Sequence, residues 1–276
     1  MVLRKGSDEK MIPMTSVNSG KGITVLDDLY QFTIQIVNIH CIGHKENFVL
    51  VDTGMPKMTK SLVDALETHF GSGYSPKAIV LTHGHFDHVG SIVELLKKWD
   101  IPVYAHYLEE PYLTGKKAYP TPDATVEGGL LAKISPVYPN EPIDISGHLH
   151  LIKEGEKIPE LPDFNVMHTP GHAPGHISLF RESDRTLIAG DAFTFVKQDA
   201  LTDVLLQKQT INGPPNYLTT DWQAAKRSVE KLAALQPETA VSGHGSPMKG
   251  DELRQNLQKL AIHFDDMAKP DYGRFV

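Results

Sequence analysis

A chain of 276 residues with a formal net charge of −7, 40% hydrophobic and 22% charged, has the composition of a folded globular protein rather than a disordered one. The acidic excess repels polyanions, which argues against nucleic acid as a general partner, and no local basic patch in the sequence reverses that. Cys41 is the only cysteine, so an internal disulfide is ruled out, and no run approaches the roughly 20 apolar residues of a membrane-spanning helix.

Residues 1–14 include Arg4, Lys5, Asp8, Glu9 and Lys10 and lack the apolar run of a secretory leader, so a cytoplasmic address is expected. Leu29 to Cys41 and Phe48 to Asp52 are rich in Ile, Val and Phe and read as strands, with the polar segment Gly43 to Asn47 as the turn between them. Leu62, Val63, Leu66 and Phe70 fall near helical spacing within Pro56 to Phe70, and Gly71 to Pro76 ends that helix. The apolar run Ala78 to Leu81 is a strand leading into His83, Ile92 to Leu96 a helix, and Pro102 to Ala105 the next strand. This alternation builds an α/β layer.

From His106 to Leu161 the regularity is lost among prolines and glycines, and the segment reads as an irregular insertion near a functional site. Strands return at Phe164 to His168, Ile177 to Phe180 and Leu187 to Gly190. A helix over Trp222 to Leu235, a short strand at Ala240 to Ser242 and a closing helix over Asp251 to Met267 complete the chain.

The chemistry concentrates at Thr82-His83-Gly84-His85-Phe86-Asp87-His88, where three imidazoles and a carboxylate crowd between a strand and a helix. Imidazole and carboxylate suit a borderline cation such as Zn²⁺, and a loop that turns alternate side chains to different points supplies two adjacent metal positions. His148 and His150 form a second His-x-His pair without the trailing Asp-His, and read as ordinary strand or loop residues. His168 reads as structural.

His-x-His-x-Asp-His after an apolar strand resembles the signature of the metallo-β-lactamase superfamily. Four further elements follow the family order: Asp52-Thr53-Gly54 at a strand end, Thr169-Pro170-Gly171-His172, Gly190-Asp191, and Gly243-His244-Gly245. The resemblance covers residues 48 to 248. It implies a four-layered αβ/βα sandwich of two mixed sheets with helices outside, here as a single domain over residues 1–276.

It further implies that His83, His85 and His172 hold one metal, that Asp87, His88 and His244 hold another, and that Asp191 bridges them. Two divalent cations are expected, Zn first, with Fe, Mn or Co as alternatives, activating a bridging water, with Asp87 and Asp191 as the catalytic carboxylates. By the same resemblance Asp52 orients ligands without binding metal, and His176 is a supporting histidine. His106, Phe193, Thr194 and Phe195 are expected to line a substrate pocket. Thr194 stands where many quorum-quenching lactonases of the family carry a Tyr, so an oxyanion donor is sought among Tyr107, Tyr112, Tyr119 and Tyr138.

The implied activity is hydrolysis of a small ester-like molecule: lactone, carboxylic ester or thioester. Phosphodiester or phosphotriester hydrolysis is an alternative. So is persulfide oxidation at a single iron on the residues matching His83, His172 and Asp191. His85 departs from the Glu of flavodiiron reductases, the short segment after His244 gives no counterpart to the glyoxalase II helical domain, and the acidic charge opposes the RNA-processing members. No nucleic-acid or membrane partner is expected, and a homodimer is compatible with the sequence.

Overall fold

The structure is a computed structural model that describes residues 15–198 and 200–276. The segment 1–14 that was read for a leader lies outside the described residues. Strands β1 (Lys21–Leu26), β2 (Leu29–Ile34), β3 (Val37–His44) and β4 (Asn47–Val51) open the chain, followed by helix α1 (Thr59–Phe70), β5 (Ala78–Val80), α2 (Phe86–Val89), α3 (Ile92–Lys98) and β6 (Val103–His106). The segment after β6 holds α4 (Glu110–Leu113), α5 (Leu130–Ile134) and β7 (Leu149–Ile152). The second half comprises β8 (Phe164–His168), β9 (Ile177–Arg181), β10 (Thr186–Ile188), α6 (Leu201–Leu206), α7 (Trp222–Ala234), β11 (Thr239–Val241), β12 (Met248–Lys249), α8 (Gly250–Ile262) and α9 (Phe264–Met267).

Strands β1 to β7 form one sheet in sequence order, antiparallel through β4 and parallel from β4 to β7. The other runs β12-β11-β10-β9-β8, with β10 and β11 parallel. Strand alternation assigns the faces. Val49, Val51, Ala78 and Val80 meet Val166, Ile177, Leu179, Ile188 and Val241 between the sheets. Phe48, Leu50, Ile79 and Leu81 turn the other way, onto α1 and α3, while Leu187, Ala189 and Ala240 face α7 and α8. The result is the αβ/βα sandwich that the resemblance implies.

Helix α1 buries Leu62 and Leu66 against its sheet, each contributing ~1.5–3 kcal/mol. Helix α7 starts where the Asp221 carboxylate accepts the Ala224 N–H at 2.8 Å, a cap worth ~1 kcal/mol.

Three differences from the sequence reading have physical causes. The single strand expected over 29–41 is the hairpin β2–β3, turned at Gln35 with φ 59°; no Asn-Gly or Asp-Gly marks it. The closing helix breaks at His263 into α8 and α9. The insertion is irregular in pattern but packed: β7 adds a parallel strand to the first sheet, and Ile152 and Ile158 enter the core between the sheets. Among the described residues, no helix is long and apolar enough to cross a membrane.

Candidate metal centre

Every element of the motif set lies just beyond the C-terminal end of a strand. Asp52 follows β4, His83 to His88 follow β5, His172 follows β8, Asp191 follows β10 and His244 follows β11. These strands deliver their loops to one edge of the sandwich. His85 is extended at φ −65° and ψ 152° and precedes α2, whose first turn carries Asp87 and His88. The extended stretch turns His83 and His85 to one point and the helix turns the next pair to another.

The side chains of all seven are buried, and their donor atoms converge. Three groups have ligand atoms within 4.8 Å of one another: His83, His85 and His172; His83, His88 and Asp191; and Asp87, His88 and His244. Asp191 Oδ2 lies 3.6 Å from His172 Nε2, 3.5 Å from His88 Nε2 and 3.3 Å from His244 Nε2. That oxygen stands between the two outer groups. Gly243 makes room for the carboxylate, since a Cβ there would lie 2.1 Å from its other oxygen, Oδ1.

Hydrogen bonds on the far nitrogens fix which way the imidazoles point their lone pairs. Thr82 Oγ1 donates to Asp52 Oδ2 at 2.8 Å, so it accepts from His83 Nδ1 at 3.0 Å. His88 Nδ1 donates to the same Asp52 oxygen at 2.8 Å. Thr219 Oγ1 donates to the Pro215 carbonyl at 2.8 Å and so accepts from His172 Nδ1 at 3.2 Å, and His244 Nδ1 donates to the Ile36 carbonyl at 2.9 Å. In four histidines Nδ1 therefore carries a proton and Nε2 faces the centre, the orientation that metal ligation uses. His85 presents Nδ1 instead, 2.9 Å from His172 Nε2.

Asp52 Oδ2 accepts from both Thr82 Oγ1 and His88 Nδ1. Its backbone is in the left-handed region at φ 63°, held there as its N–H donates to the Val80 carbonyl at 2.9 Å. Strain of that kind persists only where surrounding contacts fix it. His176 is also tied up: its Nδ1 bonds to Thr169 and its Nε2 accepts the Asp191 N–H at 2.8 Å. Neither nitrogen is left for a cation.

Electrostatics follow from packing. Burial, reinforced by the neighbouring histidines, holds His83 and His172 well below the usual value, and His85 at about 3. Burial would depress His88 and His244 as well, but the carboxylates, Asp191 foremost, hold both above it. Burial raises Asp87 although His88 and His244 oppose it, whereas in Asp191 those two histidines overcome burial and hold the carboxyl well below the ordinary range.

The expected pocket residues lie elsewhere. Phe193 and Phe195 are fully buried in the core that α7 and α8 cover, and Thr194 Oγ1 donates to the Val196 carbonyl at 2.9 Å. His106 stacks on His168 with centroids 4.1 Å apart. A narrow cleft beside the cluster is lined by His85, Phe86, Val89, Val93, Tyr119 and Asn140, among others. Its walls combine the motif loop and helix α2 with Pro56, Val93 of α3, Leu218 and the insertion residues Tyr119, Pro120 and Pro139 to Glu141, and sequence periodicity does not bring these together.

Among the tyrosines, Tyr107 is exposed, Tyr112 stacks on Tyr119 at 3.8 Å, and Tyr119 packs its ring 4.3 Å from that of His85. The Tyr138 hydroxyl is buried with no hydrogen-bond partner; burial, and then the Asp87 charge, push it up to about 12. His148 and His150 lie away from the cluster, His148 beside Asp100 at 3.5 Å and His150 beside Tyr104. Thr82, Thr219 and the Ile36 carbonyl, which orient three of the histidines, carry no sequence signal of that role.

The model of the Metallo-beta-lactamase superfamily matches residues 33–244. The chain is 46% identical over 253 residues to "Probable metallo-hydrolase YflN" of Bacillus subtilis, covering 91% of this chain and 96% of that protein. Among solved structures it is similar to TTHA1623 in a di-iron-bound form, with 28% identity, a TM-score of 0.53, and coverage of 80% of this chain and 93% of the other. BJP-1, a subclass B3 metallo-beta-lactamase of Bradyrhizobium japonicum, shares the fold at 19% identity and a TM-score of 0.61, over 92% of this chain and 94% of its own.

Proposed function

The chain belongs to the metallo-β-lactamase superfamily, and on that premise we propose that it is a dinuclear metal-dependent hydrolase of a small ester-like molecule, a lactone, carboxylic ester or thioester. One observation carries the reading. His83 Nε2, His88 Nε2, Asp87 Oδ1 and Asp191 Oδ1 are buried together with no hydrogen-bond partner, and each such atom costs about 1–3 kcal/mol unless something satisfies it. Two divalent cations held among these residues would take up the buried imidazole nitrogens and the charge of both carboxylates. His83, His85 and His172 would hold one, Asp87, His88 and His244 the other, and Asp191 would reach both.

When bound, the cations supply a water acidified to near neutral pH and a Lewis acid for the substrate oxygen. The protein's own groups do the rest. Asp52, Thr82, Thr219 and the Ile36 carbonyl hold the imidazoles in register. Asp87 accepts the leaving-group proton. Tyr138 donates its free hydroxyl to the developing oxyanion, and the cleft beside His85 takes the apolar part of the substrate.

The di-iron form of TTHA1623 supports a two-ion site and iron as the alternative to zinc. The complete second group, Asp87, His88 and His244, favours hydrolysis over oxidation at a single iron.

A panel of lactones, aryl esters, thioesters, β-lactams and phosphotriesters tests the reading. Turnover of one carbonyl class with kcat/KM of at least roughly 10⁴ M⁻¹s⁻¹ is expected. Turnover confined to phosphotriesters would reject the carbonyl assignment, and oxidation of a persulfide by an iron-loaded chain would reject hydrolysis.

A further inference from the structure

Glu109 closes the short turn Tyr107–Glu109 after β6 and is fully buried. Its Oε2 accepts the Gly84 N–H at 2.9 Å and the Tyr119 hydroxyl, and its Oε1 accepts the Gly175 N–H at 2.7 Å. Gly84 lies between His83 and His85. Gly175 closes the loop that begins at His172.

These two loops leave different sheets, β5 in one and β8 in the other, and they supply the three histidines of the first group. One carboxylate therefore spans the seam across which His85 Nδ1 and His172 Nε2 approach to 2.9 Å. The fit is close: a Cβ on Gly175 would lie 2.7 Å from Glu109 Cγ and 2.9 Å from its backbone nitrogen. Burial raises Glu109 to about 7 while the two glycine N–H groups draw it down. A carboxyl kept in such a place is expensive unless its geometry serves something. Its hydrogen bonds go to Gly84, Gly175 and Tyr119, and none of them reaches one of the seven candidate ligands.

We propose that Glu109 is a positioning residue that straps the His83–His85 loop to the His172 loop, and so sets the affinity of the first metal position without setting that of the second. Tyr119 extends the strap to the cleft, since its ring packs on His85 and its hydroxyl bonds to Glu109. The inference rests on the reading of His83, His85 and His172 as one metal position.

Zinc titration against a chromophoric chelator tests it, in two backgrounds that each leave one position. In His244→Ala, Glu109→Gln should weaken zinc about 10- to 100-fold, the scale of an outer partner of a metal ligand. In His172→Ala the same change should alter zinc affinity less than about threefold. Equal losses in both backgrounds, or none in the first, would overturn the proposal. Circular dichroism checks folding, and Gly175→Ala, which displaces the strap from its other end, carries the same comparison if Glu109→Gln does not fold. Failure of the otherwise unsubstituted chain to bind zinc would instead reject the two-metal reading itself.

Discussion

Residues 82–88 and 106–161 both build the same edge of the sandwich, yet they do so by opposite means. In the first, His83, His85, Asp87 and His88 are contiguous, and one strand-to-helix turn aims them all. In the second, Glu109, Tyr119, Tyr138 and Asn140 each arrive alone, from turns whose positions are set by distant contacts. Asp123 donates its N–H to the Tyr217 carbonyl at 2.8 Å, and Ile145 donates its own to the Leu113 carbonyl at 2.9 Å. Four of the seven candidate ligands thus come from one local stretch of the chain, whereas the cleft is a property of the folded whole.

The sharpest way to break the comparison is at the residue shared by both metal groups. Asp191→Ala should lower kcat/KM by roughly 10⁴-fold, the order seen when a member of a catalytic unit is removed, and near-normal turnover would refute the centre. Asp52→Ala comes next. It leaves the Thr82 hydroxyl and His88 Nδ1 without their acceptor, and should weaken metal binding about 10- to 100-fold as read by chelator competition.

A pH series probes the same centre. In the metal-free chain burial opposes protonation of His88 and His244, but Asp191 and its neighbours hold both above the ordinary histidine value. Those nitrogens therefore keep protons that a cation must displace. Apparent metal affinity should rise with pH by at least about tenfold per unit around neutrality, with protons released on binding; a flat profile would contradict the assignment. The smallest effect belongs to the insertion. Asn140→Trp, at the cleft wall, should raise KM about tenfold while kcat stays within about twofold, because it obstructs binding and not chemistry. A loss confined to kcat would place the substrate elsewhere.

This contrast also explains what the sequence made legible. The layered sandwich could be read because β4, β5, β8 and β10 are short apolar runs that end at recognisable turns, and the ligand candidates could be read because imidazole and carboxylate seldom crowd together by chance. Gln35 hid a hairpin, since it turns the chain at positive φ with no glycine or asparagine to mark it. Phe193 and Phe195 misled because proximity to Asp191 in sequence says nothing of direction: both pack into the core that α7 and α8 cover. Glu109 gave no signal, because one of two adjacent glutamates beside a proline reads as solvated surface until the fold brings Gly84 and Gly175 to it.

Metal content tests the central claim most directly. Purified full-length protein, dialysed free of loosely held ions and analysed by mass spectrometry of the elements, should contain about two divalent cations per chain, falling to about one in His172→Ala and in His244→Ala alike. A single iron per chain in the unsubstituted protein, unaffected by His244→Ala, would contradict the dinuclear account.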